Sequence, residues 1–374
     1  MKVHIFDLMP WPYLKEPSVF PMPNREYNPE LGHLIYKQHF DLLELCDTLG
    51  FDGVSFNEHH MSPYGGMPSP NVIVAAMTQR TRRVTLGIMG NCLPIRGHPL
   101  RVAEEVALLD VISEGRILSG FMRGIPQEYL AYNVDPRDSR ERFDEAWDLI
   151  IKAWTSDAPF DWDGKHYRYK AVSIWPRPFQ KPHPPVVFAG NTAESVEWAA
   201  RKRVTLASSM FPTENLRGTF DYYRQKCRDA GWTPGPEHII TQRHIYVAET
   251  RERAREEAEP HLNYFYQTLL AQFKSETISK MRSEALNTPR SYDYKPSKER
   301  PKLWELTFDQ CQADGYSVIG DPDHVIRELK YQEKELGFGT MMGFFHFGSM
   351  PHQLAEKNVR LFAKEVLPHV RGSG

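Results

Sequence analysis

No run of about 18 apolar residues occurs in this sequence, so no segment is expected to cross a membrane. Cysteine is scarce: Cys46, Cys92, Cys227 and Cys311 stand alone, with no CxxC pair. That excludes a disulfide framework and a cysteine zinc site, and it points to a reducing cytoplasm. Charge of one sign is missing too. A formal net charge of -2 gives no basic surface for nucleic acid and no acidic tail. No HExxH pattern accompanies the histidines, so no metal site is expected. No glycine-rich loop follows the first apolar strand, which argues against a doubly wound dinucleotide fold. The opening MKVHIFDLMPWPYL is too short in its apolar run and too rich in proline for a secretory leader; it reads as a first strand.

What is present is a strand-and-helix alternation. Expected strands are 2–8, 53–56, 84–89, 116–122, 186–189, 204–207, 239–248 and 340–345. Helices are expected at about 32–49, 68–81, 98–112, from Asp138 or Ser139 onward, 193–202, 213–230, from Asp321-Pro322-Asp323 onward, and 351–367. Phe143, Trp147, Ile150, Ile151 and Trp154 form one apolar stripe on the fourth of these. Eight strands separated by helices predict an α/β fold, a (β/α)8 TIM barrel with insertions. One domain is expected over 1–371. It carries a long proline-rich loop at 9–31, a β-excursion at about 159–185 and a lid or insertion at about 261–315. The terminal Gly372-Ser373-Gly374 is set apart from the fold as an added tail.

In such a barrel the chemistry gathers at the C-terminal ends of the strands. The stretch FDGVSFNEHH, 51–60, ends a short strand on Asn57, Glu58, His59 and His60. Adjacent residues on an extended segment point to opposite sides, so only one histidine can face the mouth. A histidine with a carboxylate neighbour such as Glu58 suits proton transfer near neutral pH. Arg123 follows the fourth strand, and its guanidinium fork suits phosphate oxygens. Gly190-Asn191-Thr192-Ala193-Glu194-Ser195 joins the fifth strand to a helix start, where free N–H groups and two hydroxyls favour an anion. Strands four and five are neighbours, so these two signals converge on a phosphate-bearing cofactor. Met89-Gly90-Asn91-Cys92 ends the third strand with small residues that admit a flat ring; Cys92 is either reactive or plain buried filler.

These residues together resemble the bacterial luciferase-like, flavin-dependent monooxygenases. FDGVSFNEHH, HPLRVAEEVALLDVISEGR, Phe121-Met122-Arg123-Gly124, AGNTAESVEWAA and HFGSMPHQLAEKNVRLFAKEVLP carry the resemblance, and 251–316 is its weakest part. It implies a TIM barrel binding reduced FMN at its C-terminal mouth, as a homodimer supplied by a separate flavin reductase. A flavin C4a-(hydro)peroxide formed with O2 would then oxygenate a small organic substrate. By position, His59, with Glu58 beside it, is the catalytic group. Arg123, Asn191, Thr192 and Ser195 match the phosphate-binding positions, with Asn57, Met89, Gly90, Asn91, Met122, Ala189 and Gly190 around the cofactor. A non-proline cis peptide is implied near Met89-Gly90-Asn91. Met122 stands where luciferase carries a reactive cysteine, so light emission is not implied; Asn191 replaces an acidic residue. A deazaflavin-dependent hydride-transfer enzyme and a catalytically silent flavin-binding protein are the alternatives. Trp11, Tyr13, Phe20 and the 261–305 segment are expected to shape the substrate pocket.

Overall fold

The computed structural model describes residues 1–286 and 301–371. Its strands are β1 (Lys2–Asp7), β2 (Gly53–Phe56), β3 (Thr85–Cys92), β4 (Ile117–Met122), β5 (Phe160–Asp163), β6 (Arg168–Val172), β7 (Val186–Ala189), β8 (Thr205–Ser208), β9 (Ile239–Val247), β10 (Ser317–Gly320) and β11 (Thr340–Phe344). The chain of pairings β11-β1-β2-β3-β4-β7-β8-β9 is parallel throughout and closes through β9 on β11. The predicted eight-stranded α/β barrel is therefore present. Closure leaves these strands without an open edge, and their buried VTLGI- and VVFA-type runs suit a sheet covered on both faces.

One strand lies outside the expected eight. β10 pairs with the C-terminal half of β9, Ser317 opposite His244 through Gly320 opposite Val247. A four-residue strand is too short to show a period, and it hides behind Gly315 and the Asp321-Pro322 helix start. The β-excursion is the antiparallel hairpin of β5 and β6. The first helix begins at Pro29 rather than residue 32, because Asn28 caps it by accepting from the N–H groups of Glu30 and Leu31. It ends at Gly50, whose φ of 94° is the left-handed cap expected there. The expected lid at 261–315 falls partly outside the described residues. Its described elements are the π-helical turn Tyr264–Thr268, the 3-10 turns Leu269–Lys274 and Leu303–Glu305, and the helices Glu276–Leu286 and Phe308–Ala313, after the end of the helix Arg251–Asn263.

Two packing features position the site. The helix Ser139–Thr155 buries Phe143, Trp147, Ile150 and Trp154. Trp147 meets Phe121 of β4 edge-on at 5.6 Å and Trp198 at 4.9 Å. Each such side chain contributes about 1.5–3 kcal/mol on burial, which fixes the first turn of this helix against the rim of β4 and β7. Trp198 lies on the helix Ala193–Lys202, whose buried Val196, Ala199 and Ala200 seat it behind β7. The long first loop is strapped across the mouth: Trp11 N–H donates to Pro63, Leu14 N–H to the Tyr264 hydroxyl, and the Ser18 hydroxyl to Leu269.

Candidate active site

β4 and β7 lie side by side, with Phe121 opposite Phe188. Just beyond them Met122, Arg123 and Gly124 face Ala189, Gly190, Asn191 and Thr192, all half-buried, so this rim is open to solvent. Arg123 donates to the Glu194 carboxylate at 3.2 Å and to the Ser139 hydroxyl at 3.2 Å. Arg140, in the first turn of the tryptophan-rich helix, reaches the same Glu194 oxygen at 3.1 Å and the Ser195 hydroxyl at 3.5 Å. Burial, and after it the neighbouring Arg123, pulls the Arg140 guanidinium below its ordinary value. Its Nε and Nη1 are buried without a hydrogen-bond partner among the described residues, and Asp144 stays 3.9 Å from Nη1. Thr192 caps the helix Ala193–Lys202, accepting from Ser195 N–H at 3.3 Å. Two guanidinium groups, two hydroxyls and a helix N-terminus therefore share one rim, a donor set fitted to a phosphate dianion. The unsatisfied donors of Arg140 are what such a group would complete.

Behind that rim, Gly90 lets the backbone approach closely: a Cβ there would lie 2.4 Å from the Gly120 carbonyl oxygen. The Met89–Gly90 peptide is cis. Asn91 turns away from the mouth. Its amide exchanges hydrogen bonds with Asn71 at 3.1 and 3.3 Å, in the layer between sheet and helix. Asn191 is held by Ser208 and donates to the Ser209 carbonyl at 3.3 Å.

At the end of β2 the two histidines divide, as alternation requires. His59 Nδ1 lies 3.1 Å from Glu128 Oε1, and its Nε2 lies 2.7 Å from the Tyr64 hydroxyl. Glu128 also accepts from Ile125 N–H at 2.8 Å through its other oxygen. Burial, then the nearby Glu128, raises the Tyr64 phenol, so it keeps its proton. The donors then order themselves: Tyr64 O–H donates to Nε2, and Nδ1–H donates to Glu128. His60 faces the opposite way, 2.8 Å from Glu58 and 3.0 Å from the Tyr132 hydroxyl. Glu58 also takes Arg96 at 2.5 Å and Cys92 N–H at 3.3 Å. The carboxylate on His59 is thus Glu128 and not the adjacent Glu58, which the strand's pleat sends to the other face. Asn57 is buried on the His59 side, packed on Gly65, with neither amide atom hydrogen-bonded among the described residues. Cys92 is buried, and that burial, reinforced by Glu128 and Glu58, pushes its thiol well up, so it is no thiolate near neutral pH.

One short helix, Pro126–Ala131, joins the two centres. Glu128 reaches His59, and the Tyr129 hydroxyl donates to the Arg123 carbonyl at 2.6 Å. The turn before it uses Gly124 at φ 95°, where a Cβ would meet Cys92 Sγ at 2.5 Å and Glu128 at 2.9 Å. Arg140, Glu128, Tyr64 and Tyr129 were not singled out by the sequence reading. Arg140 alone had a usable signal, as a cation in the first turn after the Asp138-Ser139 helix start.

A cavity of about 720 Å³ opens beside these centres. Trp11, Phe20 and Tyr27 of the first loop line it, with Met61 and Pro63 from the segment after His59 and Leu130 from the Glu128 helix. Trp11 and Phe20 line this cavity, while Tyr13 is half-exposed to solvent and outside the lining. Of the 261–305 segment, the described part supports the first loop through Tyr264, Thr268 and Leu269 and does not line the cavity.

Comparison with known proteins gives a consistent picture. The crystal structure of the monooxygenase RslO1 from Streptomyces bottropensis superposes with a TM-score of 0.78 at 29% identity, over 99% of this chain and 100% of that one. The oxygenase component of the flavin-dependent trigonelline monooxygenase of Acinetobacter baylyi is 26% identical over 264 residues, 69% of this chain and 72% of its own. An F420-dependent secondary alcohol dehydrogenase shares the fold at 17% identity, with a TM-score of 0.72 over 99% of both chains. The profile of the luciferase-like monooxygenases matches residues 23–340, and the chain belongs to that family.

Proposed function

We propose that this protein is the oxygenase of a two-component system. It binds reduced FMN at the barrel mouth, takes the flavin from a separate reductase, and delivers one atom of O2 to a small organic substrate. The observation that carries this reading is the pairing of a two-arginine anion cradle with a half-buried histidine chain across one short helix. Reduced FMN, when bound, supplies the electrons that activate O2. The chain's own residues do the rest. Arg123, Arg140, Thr192 and Ser195 hold the phosphate, and Gly90 clears space for the ring. His59 moves a proton at Nε2 through the Tyr64 hydroxyl, while Glu128 fixes the tautomer and steadies the imidazolium that forms. The oxygenase-component name of the trigonelline relative supports the separate reductase. A homodimer and a reducing cytoplasm belong to the same reading; four buried, unpaired cysteines are in keeping with the latter.

The test is anaerobic titration with reduced FMN, riboflavin and F420, followed by turnover with a flavin reductase, NADH and ¹⁸O2. FMN should bind more tightly than riboflavin, and product should carry one labelled oxygen. The F420-dependent neighbour of the same fold favours a second reading, hydride transfer with a deazaflavin. Tight F420 binding without FMN binding decides for it.

A further inference from the structure

The cavity beside the site is lined almost wholly by carbon, yet one wall carries a charge. Glu26 sits in the turn Asn24–Glu26 of the first loop and lines the cavity together with Trp11, Phe20 and Tyr27. Its Oε2 is buried, and among the described residues no hydrogen bond or ion pair reaches the carboxylate. The fully buried Glu58, Asp7 and Glu257 meet Arg96, His39 and Lys357, whereas the half-buried Glu26 meets no such partner among the described residues. A half-buried carboxylate on a mostly apolar wall offers an incoming cation an unpaired opposite charge. The aromatic rings around it suit the same partner. Trp11 and Tyr27 stand 4.8 Å apart at 40° and line the cavity with Phe20, and aromatic rings attract a positive nitrogen. Trp11 Nε1 is also buried and without a hydrogen-bond partner among the described residues, which leaves one donor for an acceptor on the same ligand.

We infer that this cavity takes an organic cation: an apolar or aromatic body bearing a protonated amine or quaternary nitrogen, seated against Glu26 and the rings of Trp11, Phe20 and Tyr27. The inference rests on reading the cavity as the substrate's place in the proposed oxygenase. Its neighbours support that, since Met61 and Pro63 continue the His59 segment and Leu130 lies two residues beyond Glu128 on the same helix.

The test uses binding alone, so that it stands apart from any outcome in turnover. Phenyltrimethylammonium and its neutral isostere tert-butylbenzene are titrated by ligand-observed NMR into the full chain and into Glu26→Gln, with FMN affinity measured in parallel. The cation should bind the native protein about ten-fold more tightly than the isostere, the scale of a desolvated cation–π contact. Glu26→Gln should lower that preference several-fold, leaving the share the rings supply, and leave FMN affinity unchanged. Equal binding of the two probes, or a preference undiminished in Glu26→Gln, overturns the inference. Failure of FMN to bind either protein instead counts against the proposed function, and cation selectivity would stand without it.

Discussion

Arg123 and Arg140 meet on one carboxylate oxygen, Glu194 Oε2, at 3.2 and 3.1 Å. A single negative charge between two guanidinium groups holds both at the rim and leaves a positive surplus at the helix start. Removing either arginine should weaken FMN binding by about 1.5–3 kcal/mol, the scale of a charge-assisted hydrogen bond. Fluorescence titration of Arg123→Ala and Arg140→Ala checks this, with riboflavin as control. An equal loss for riboflavin, which lacks the phosphate, contradicts the assignment.

Glu194→Gln should act in the opposite direction. The carboxylate repels a phosphate at the same rim, so neutralising it should tighten FMN several-fold at low ionic strength. The gain should shrink as salt is added. A loss of affinity would mean that Glu194 serves mainly to order the arginines.

The His59 chain separates binding from chemistry. His59→Gln should keep FMN affinity and lower oxygenation by about 10²–10⁴-fold, the usual contribution of a positioned acid or base. Tyr64→Phe should lower it less, and Glu128→Gln should move the pH profile of turnover as well as its height. Rapid-quench kinetics at several pH values resolve the three. Unchanged turnover in His59→Gln removes that residue from the mechanism.

Gly124→Ala tests the turn between the two centres. A Cβ at φ 95° is strained by roughly 1–2 kcal/mol, and here it would also press on Glu128 and Cys92. Melting temperature should fall, and activity should fall further than stability alone explains. A variant with native activity would show that the turn can shift without moving Glu128.

Acid should unfold this protein through its interior histidines. Burial lowers His4 to about 4, and His244 and His346 to about 3, from 6.5. The unfolded chain takes a proton on each as pH falls through 6.5, while the folded protein refuses until about 4 or below. Their stabilising effect is therefore full above 6.5 and drains away toward 4, at up to about 1.4 kcal/mol per pH unit for each histidine. Urea midpoints between pH 7.5 and 4.5 should show this slope, and His346→Gln should make it shallower. An unchanged slope in that variant excludes His346 as a contributor.

The barrel was legible because its strands are buried on both sides and read as apolar runs between helical periods. The gathering of Arg123, Thr192 and Ser195 on one rim was legible because those residues sit at strand ends and a helix cap, where position follows from local chain geometry. Arg140, Glu128 and Tyr64 were not, because tertiary packing alone brings them in: Arg140 rides on the Trp147–Trp198 contact, and Glu128 on a six-residue helix with no periodic signal. Glu58 shows the converse. It is His59's neighbour in sequence, but the pleat assigns it to His60 and Arg96. Asn91 likewise lies at the expected strand end with its side chain committed to Asn71.

The strap of the first loop has a bearing on how the protein comes into being. Leu14 and Ser18 are tied to Tyr264, Leu269 and Gln272 across sequence separations of 250, 251 and 254 residues. Contacts that distant carry a large loop-closure cost and are expected to form late, once both segments are present. The cavity wall built by Trp11, Phe20 and Glu26 is therefore absent from any nascent chain that stops before residue 264. The ability to take a ligand there marks a finished fold, a property that assembly intermediates with a nearly complete barrel would not share.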